Sequence, residues 1–174
     1  MTKPVNLCVK SFRESKEPSM MNFDIKRRTW LAGLFLLSMV GGGAAIASEL
    51  IAEVWKDPNC GCCHEWVQHL EEAGIQVRTF DTGNTAIREQ LGIARQFGSC
   101  HTTRIGGYAI EGHVPAADIK RLLEERPDAI GLAVPGMPIG SPGMDGPIYG
   151  NRKDPYDVLL IHVDGSTSVY QDYR

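Results

Sequence analysis

The 174-residue sequence predicts an α/β domain. Three observations carry this. Short strand-like runs alternate with stretches of helical periodicity, a dense cysteine group falls between the first strand and the first helix, and the chain closes on a hairpin signal. In order, Ile51-Ala52-Glu53-Val54-Trp55 alternates apolar and polar residues and reads as a strand, broken by Lys56-Asp57-Pro58-Asn59. From Cys62, the positions Trp66, Val67, Leu70 and Ala73 recur at helical spacing, with Gly74 as the C′ residue. Ile75 to Phe80 reads as a second strand. Asn84 is placed to cap a second helix whose Ile87, Leu91 and Ala94 share a face. Arg104-Ile105 and Tyr108-Ala109-Ile110 flank Gly106-Gly107 as a hairpin. Pro115 then opens a helix with Ile119, Leu122 and Leu123 on its apolar side.

This order, β-α-β-α-β-β-α with cysteines after the first strand, is the thioredoxin-like pattern. Two additions are predicted beyond it. Gly131 to Gly150 reads as a Pro/Gly/Met loop containing Pro135-Gly136-Met137-Pro138 and Pro142-Gly143-Met144. Val158 to Val163 and Thr167 to Tyr170 then form a C-terminal β-hairpin around Asp164-Gly165.

Upstream, Arg27-Arg28 precedes a charge-free apolar run from Trp30 to Ala47 that ends Ala45-Ile46-Ala47. A basic region, an apolar stretch and small residues at the end describe a cleaved secretory leader. Leu31 to Val40 is short for a membrane span, so no lasting anchor is expected. Lys26 to Leu31 resembles a twin-arginine signal, and the general export route stays equally open. The chain therefore divides into residues 1–47, an N-terminal extension and signal peptide, and residues 48–174, the functional domain. A periplasmic location is expected. Without the leader, 11 basic and 18 acidic residues remain, a net charge of −7 against −3 for the whole chain. An acidic domain with no basic stripe argues against nucleic acid as a partner.

Cysteine usage is more informative. Cys60, Cys62, Cys63 and Cys100 remain in a compartment where unprotected thiols pair. Three sulfurs on one turn make poor staples, since bridges among them close tiny loops. Two chemistries fit Cys60-Gly61-Cys62-Cys63. Cys60 and Cys63 form a C-x-x-C at a helix start, the arrangement of a redox-active pair. Alternatively, three thiolates form a soft anionic pocket suited to Cu(I), zinc or an iron–sulfur centre. Cys100-His101 stands just before the third strand, where a thioredoxin-like domain usually places a proline facing its active site. A fourth sulfur thus arrives opposite the first three. His113 follows one strand later, and Met137 and Met144 offer thioethers that favour Cu(I). Each of these has an ordinary structural reading as well: a buried small residue, a hydrogen-bonded histidine, a packing methionine. Structural zinc usually joins separated ligand pairs, so one knot of three cysteines is an unusual zinc arrangement. Copper unites the sulfur excess, the methionines and export. His69 is expected to be exposed and His162 structural. No phosphate-binding glycine loop or hydrolase triad is present in the sequence.

Taken together, Cys60-Gly61-Cys62-Cys63, Ser99-Cys100-His101-Thr102, Gly107-Tyr108, Glu111-Gly112-His113-Val114-Pro115 and Gly131 to Pro138 resemble the CopG-type periplasmic copper-resistance proteins. The resemblance implies a thioredoxin-like fold, a Cys-bridged cluster of more than one copper, a role in copper tolerance and Cu(I)/Cu(II) redox. Cys60, Cys62, Cys63 and Cys100 carry over first, and His113 and His101 follow. Copper-efflux or other periplasmic copper proteins are the partners this implies. The competing function is a thiol–disulfide oxidoreductase using Cys60 and Cys63, with a zinc- or disulfide-stapled interaction domain as a third.

Overall fold

The computed structural model describes residues 50–174, so the expected leader and its boundary at residue 47 lie outside the described residues. One mixed sheet of seven strands, in the order β2-β1-β3-β4-β5-β6-β7, forms the middle layer. Strand β1 (Ile51–Lys56) buries Ala52, Val54 and Lys56 on alternate positions, as period-two patterning requires. It feeds helix α1 (Gly61–Glu72), which turns Cys63, Trp66, Val67 and Leu70 inward. Gly74 then returns the chain to β2 (Gln76–Phe80), parallel to β1. A short helix α2 (Thr85–Gln90) and a single turn at Arg95–Phe97 precede β3 (His101–Ile105), which runs antiparallel to β1. Strand β4 (Tyr108–Glu111) pairs back on β3, and helix α3 (Ala116–Glu125) follows from Pro115 at its N-cap.

The strand after α3 corrects one expectation. Ala129–Ala133 is a fifth strand, β5, parallel to β4, where the loop was expected to begin. Gly131 made this stretch read as loop. In the sheet it faces Ala109, so close that a Cβ would lie 1.7 Å from the Ala109 carbonyl oxygen. Only glycine fits that approach. The irregular segment therefore runs from Val134 to Pro155, and β6 (Tyr156–His162) and β7 (Thr167–Tyr173) make the expected hairpin. Because β6 pairs with β5, the hairpin extends the main sheet instead of forming a separate unit.

Strand alternation sorts the core into two sides. Val54, Ile110, Leu132 and Val158 face α1 and α3, packing against Trp66, Leu70, Ile119 and Leu122. Ala109, Ala133 and Ile161 point the other way, under Ile93 and Phe97 from the segment after α2. Helix α2 is also shorter than expected, and Asn84 does not cap it with its side chain. The Asn84 amide instead donates to the Ser99 carbonyl and the Thr102 hydroxyl, both at 3.2 Å.

The Pro/Gly/Met segment is seated on the first turn of α1. A Cβ on Gly143 would stand 2.6 Å from the Cys62 carbonyl oxygen and 2.8 Å from the Trp66 nitrogen, and its φ is +81°. Gly143→Ala is therefore expected to cost at least about 1–2 kcal/mol from the left-handed backbone alone. The loop must also lift from α1. Urea denaturation of the variant against the parent protein measures this loss.

Candidate metal centre

Three segments meet at the N-terminus of α1. Cys60 is the N-cap residue and accepts the His64 amide at 3.2 Å, which starts the helix and turns Cys62 and Cys63 onto its first turn. Cys60 and Cys63 are joined as a disulfide, with Cα atoms 5.3 Å apart. Cys62 and Cys100 are free thiols. Cys62 Sγ lies 3.6 Å from Cys60 Sγ, 3.9 Å from Cys100 Sγ and 3.9 Å from Met137 Sδ. The four cysteine sulfurs all stand within 4.8 Å of one another.

A second donor group overlaps the first. Cys100 Sγ is 3.4 Å from His101 Nδ1 and 3.1 Å from His113 Nε2, and these three also fall within 4.8 Å of one another. Cys100 belongs to both groups, so the donors form one continuous array from Cys60 to His113. His113 is oriented from behind. Its Nδ1 lies 2.8 Å from the Pro142 carbonyl, which only accepts, so Nδ1 carries the proton and the Nε2 lone pair faces Cys100. His101 packs its ring on Trp66 at 4.2 Å, and its buried Nε2 has no hydrogen-bond partner among the described residues. The indole nitrogen of Trp66 donates to the Val114 carbonyl at 2.9 Å, which fixes that wall.

Cys100 itself is positioned by a buried carboxylate that sequence reasoning passed over. Glu111 is fully buried, and Oε1 accepts the Ser99 amide at 2.6 Å and Arg88 Nε at 2.8 Å. Oε2 accepts the Thr102 hydroxyl at 2.5 Å. Arg88 Nη2 also donates to the Ser99 carbonyl at 2.6 Å, and the Ser99 hydroxyl donates to the Gly136 carbonyl. Residues 99 and 102, on either side of Cys100-His101, are thus tied to one carboxylate. Gly112 completes the junction, because a Cβ there would sit 2.6 Å from the Ser99 side chain. The available signal was an acidic residue ending the apolar run Tyr108-Ala109-Ile110, where a solvated side chain is unexpected.

Met137 is half exposed at the rim, close to Cys62. Met144 is buried, and its sulfur accepts the Tyr149 hydroxyl at 3.3 Å. The loop's reach toward the donors comes through Pro142 and Gly143 beside it. His69, expected to be exposed, is half-buried and accepts the Ala116 amide at 3.0 Å, linking α1 to the start of α3. His162 bonds the Ser168 hydroxyl at 3.0 Å across the terminal hairpin, in keeping with a structural role.

Electrostatics favour neutral donors. Burial, and then the neighbouring Cys62 sulfur, push the Cys100 thiol up to about 12, so a bound ion must displace a proton there. Burial, and then the adjacent His113, hold His101 well below the ordinary histidine range, and burial lowers His113 too. Both rings therefore keep free lone pairs at neutral pH. Burial raises Glu111, opposed by its bonds to Thr102, Ser99 and Arg88.

Clustered thiols backed by buried neutral imidazoles on a sheet of this kind define a protein equipped to hold soft metal ions. A family described as "Protein of unknown function, DUF411" matches residues 97–144, the stretch that carries Cys100, His101, His113 and both loop methionines. Two solved structures, described as the copper resistance protein copG in form 1 and form 2, align at a TM-score of 0.66 and 46% sequence identity. Each alignment covers 72% of this chain and 98% of the other. The chain belongs to the CopG copper-resistance protein family. No curated protein matches it.

Two expectations follow from this geometry. Glu111→Ala leaves the Arg88 guanidinium, the Ser99 amide and the Thr102 hydroxyl without their acceptor. A loss of about 3–5 kcal/mol is expected in denaturant titrations of the metal-free protein. The histidines set a pH dependence. Both are neutral in the fold, while the unfolded chain protonates them near 6.5, so the unfolded state binds more protons below that pH. Stability is then complete above 6.5 and falls as the solution is acidified, by up to about 1.4 kcal/mol per pH unit for each ring. Denaturant titrations at about pH 7 and about pH 5 read this slope, and His101→Gln should flatten it.

Proposed function

We propose that this chain is a copper-binding resistance protein that holds more than one copper ion in a cysteine-bridged cluster. The observation that carries this reading is the sharing of Cys100 between two donor groups. A thiolate bridges two ions readily, and four thiolates exceed what one Cu(I) needs. Cys60, Cys62 and Cys63 then supply one side, His101 and His113 the other, and Met137 the open rim. Soft sulfur beside imidazole suits both Cu(I) and Cu(II), which supports a redox role in keeping copper harmless. Membership of the copper-resistance family supports copper over zinc. Residues 51–125 are read as a thioredoxin-like core, supported by the order β2-β1-β3-β4 and by the cysteines at the start of α1.

An exported, periplasmic protein is proposed from the leader-like residues 1–47, whose removal leaves residues 48–174 as the copper-binding domain. Among the described residues, no helix is long and apolar enough to cross a membrane. Exposed Ile148 borders the cleft that Cys62 lines, and half-exposed Met137 approaches Cys62 Sγ, which supports hand-off to copper-efflux or other periplasmic copper proteins.

A second reading has its own observation. The Cys60–Cys63 bridge at a helix N-terminus is what a thiol–disulfide oxidoreductase presents. Cys62 separates the two. Serine oxygen is too hard a donor for Cu(I), whereas a redox pair needs only Cys60 and Cys63. Anaerobic titration of reduced protein with Cu(I) against a competing chelator is expected to saturate above one equivalent. Cys62→Ser should lose at least one of those equivalents with its far-UV circular dichroism unchanged. Saturation of the parent at one equivalent sinks the cluster. Full copper binding by Cys62→Ser, with insulin disulfides reduced, selects the oxidoreductase.

A further inference from the structure

On the Cys100 side of the array, a cleft of about 410 Å³ opens between the turn at Arg95–Phe97 and the loop at Gly136. Arg88 and Arg95 line it together with Gly98, Cys100 and Met137, and no carboxylate does so among the described residues. Glu111 balances the charge of Arg88, yet only Nε and Nη2 of that guanidinium are engaged. Nη1 stays open beside Gly98, where a Cβ would stand 3.1 Å from it. Arg95 is exposed and has no partner among the described residues, so its charge is unopposed. The cleft thus offers an anion one free charge and one directed N–H, and it presents a thiol and a thioether as well. The cleft at Cys62 is the reverse, lined by Glu65 and Asp145. An anion is admitted on the first side and repelled on the second.

We propose that the Arg88–Arg95 cleft binds a small anionic thiol, which reduces the Cys60–Cys63 bridge. The ligand's carboxylate meets Arg95 and Arg88 Nη1, and its sulfur lies toward Cys100 and Met137. The Cys60 and Cys63 sulfurs stand within 4.8 Å of Cys100 Sγ, so a thiolate held there is next to the bridge. It attacks one bridge sulfur, forms a mixed disulfide and expels the other as a thiolate. A second ligand thiolate attacks the ligand sulfur of that mixed disulfide and frees the remaining protein thiolate. The bridge gains two electrons, two ligand thiols become one ligand disulfide, and their two protons end on Cys60 and Cys63. The cleft has this role whether or not the freed thiols then take copper.

The test uses metal-free protein with its bridge intact, in the presence of a chelator, and follows reduction by alkylation and mass spectrometry. Glutathione, an anionic thiol, is compared with cysteamine, a cationic one, at equal thiolate concentration. Glutathione is expected to be faster by roughly fivefold at an ionic strength of about 0.01 M, with the advantage fading toward about 1 M. S-methylglutathione, which cannot reduce, should bind in calorimetry and slow the glutathione reaction. Arg95→Glu should abolish both the preference and this binding. Lys153→Glu makes the same change of net charge at a cleft without cysteines, and should keep both. A parent that reacts as fast with cysteamine, or one that S-methylglutathione does not inhibit, overturns the site. Equal losses in Arg95→Glu and Lys153→Glu overturn it too, since overall charge then accounts for the preference.

Discussion

The carboxylate of Glu111 accepts three donors from within the protein, and those donors bracket Cys100. Charge buried without water is tolerated only when it is this fully bonded, so the Ser99 amide, the Thr102 hydroxyl and Arg88 have little freedom to move. The consequence is geometric. Cys100 is presented from the start of β3 at a set height above the first turn of α1, where the other three cysteines sit. A loop free to relax would let the Cys100 thiol drift from the first turn of α1, because no covalent bond ties it to the other cysteines there. The brace supplies that preorganisation, and the packed rings of Trp66, His101 and His113 extend it inward.

The segment after β5 completes the centre. Its backbone lies against α1 at Gly143, and its Pro142 carbonyl selects the His113 tautomer. Its Met137 reaches Cys62 from the solvent side. Clefts open on both sides of the array and differ in charge. Glu65 and Asp145 line the one at Cys62, whereas Arg88 and Arg95 line the one at Cys100 and Met137. A cation approaching the sulfurs meets a favourable field on the first side and an unfavourable one on the second.

Much of this was legible in the sequence for local reasons. Alternation marks β1, helical spacing marks α1 and α3, and Asp164-Gly165 marks the terminal hairpin. The crowding of cysteines at residues 60–63 marks a concentrated group of sulfur donors without any structure, because disulfide frameworks spread their cysteines. What was not legible depended on contacts distant in the chain. Strand β5 was hidden by Gly131, whose role becomes clear only when Ala109 lies across from it. Asn84 looked like a cap because the residue type suits one, yet its amide is drawn to Ser99 and Thr102. Glu111 is locally marked only as an acidic residue ending an apolar run, and its role stays hidden because its partners come from residues 88, 99 and 102. His69 likewise finds its partner in the backbone that opens α3.

The donors are scattered along the chain: 38 residues separate Cys62 from Cys100, and 75 separate it from Met137. An unfolded chain therefore offers the three-cysteine turn but not the assembled set. Any ion that uses the whole array binds the native state far more tightly than the denatured one. By mass action it raises the unfolding free energy in step with the logarithm of its concentration, by about 2.7 kcal/mol at a hundredfold excess over the dissociation constant. The fold and its cargo are thus linked thermodynamically. Such an ion would stabilise the native state alone, and the melting temperature of the protein would become a gauge of how much free metal surrounds it.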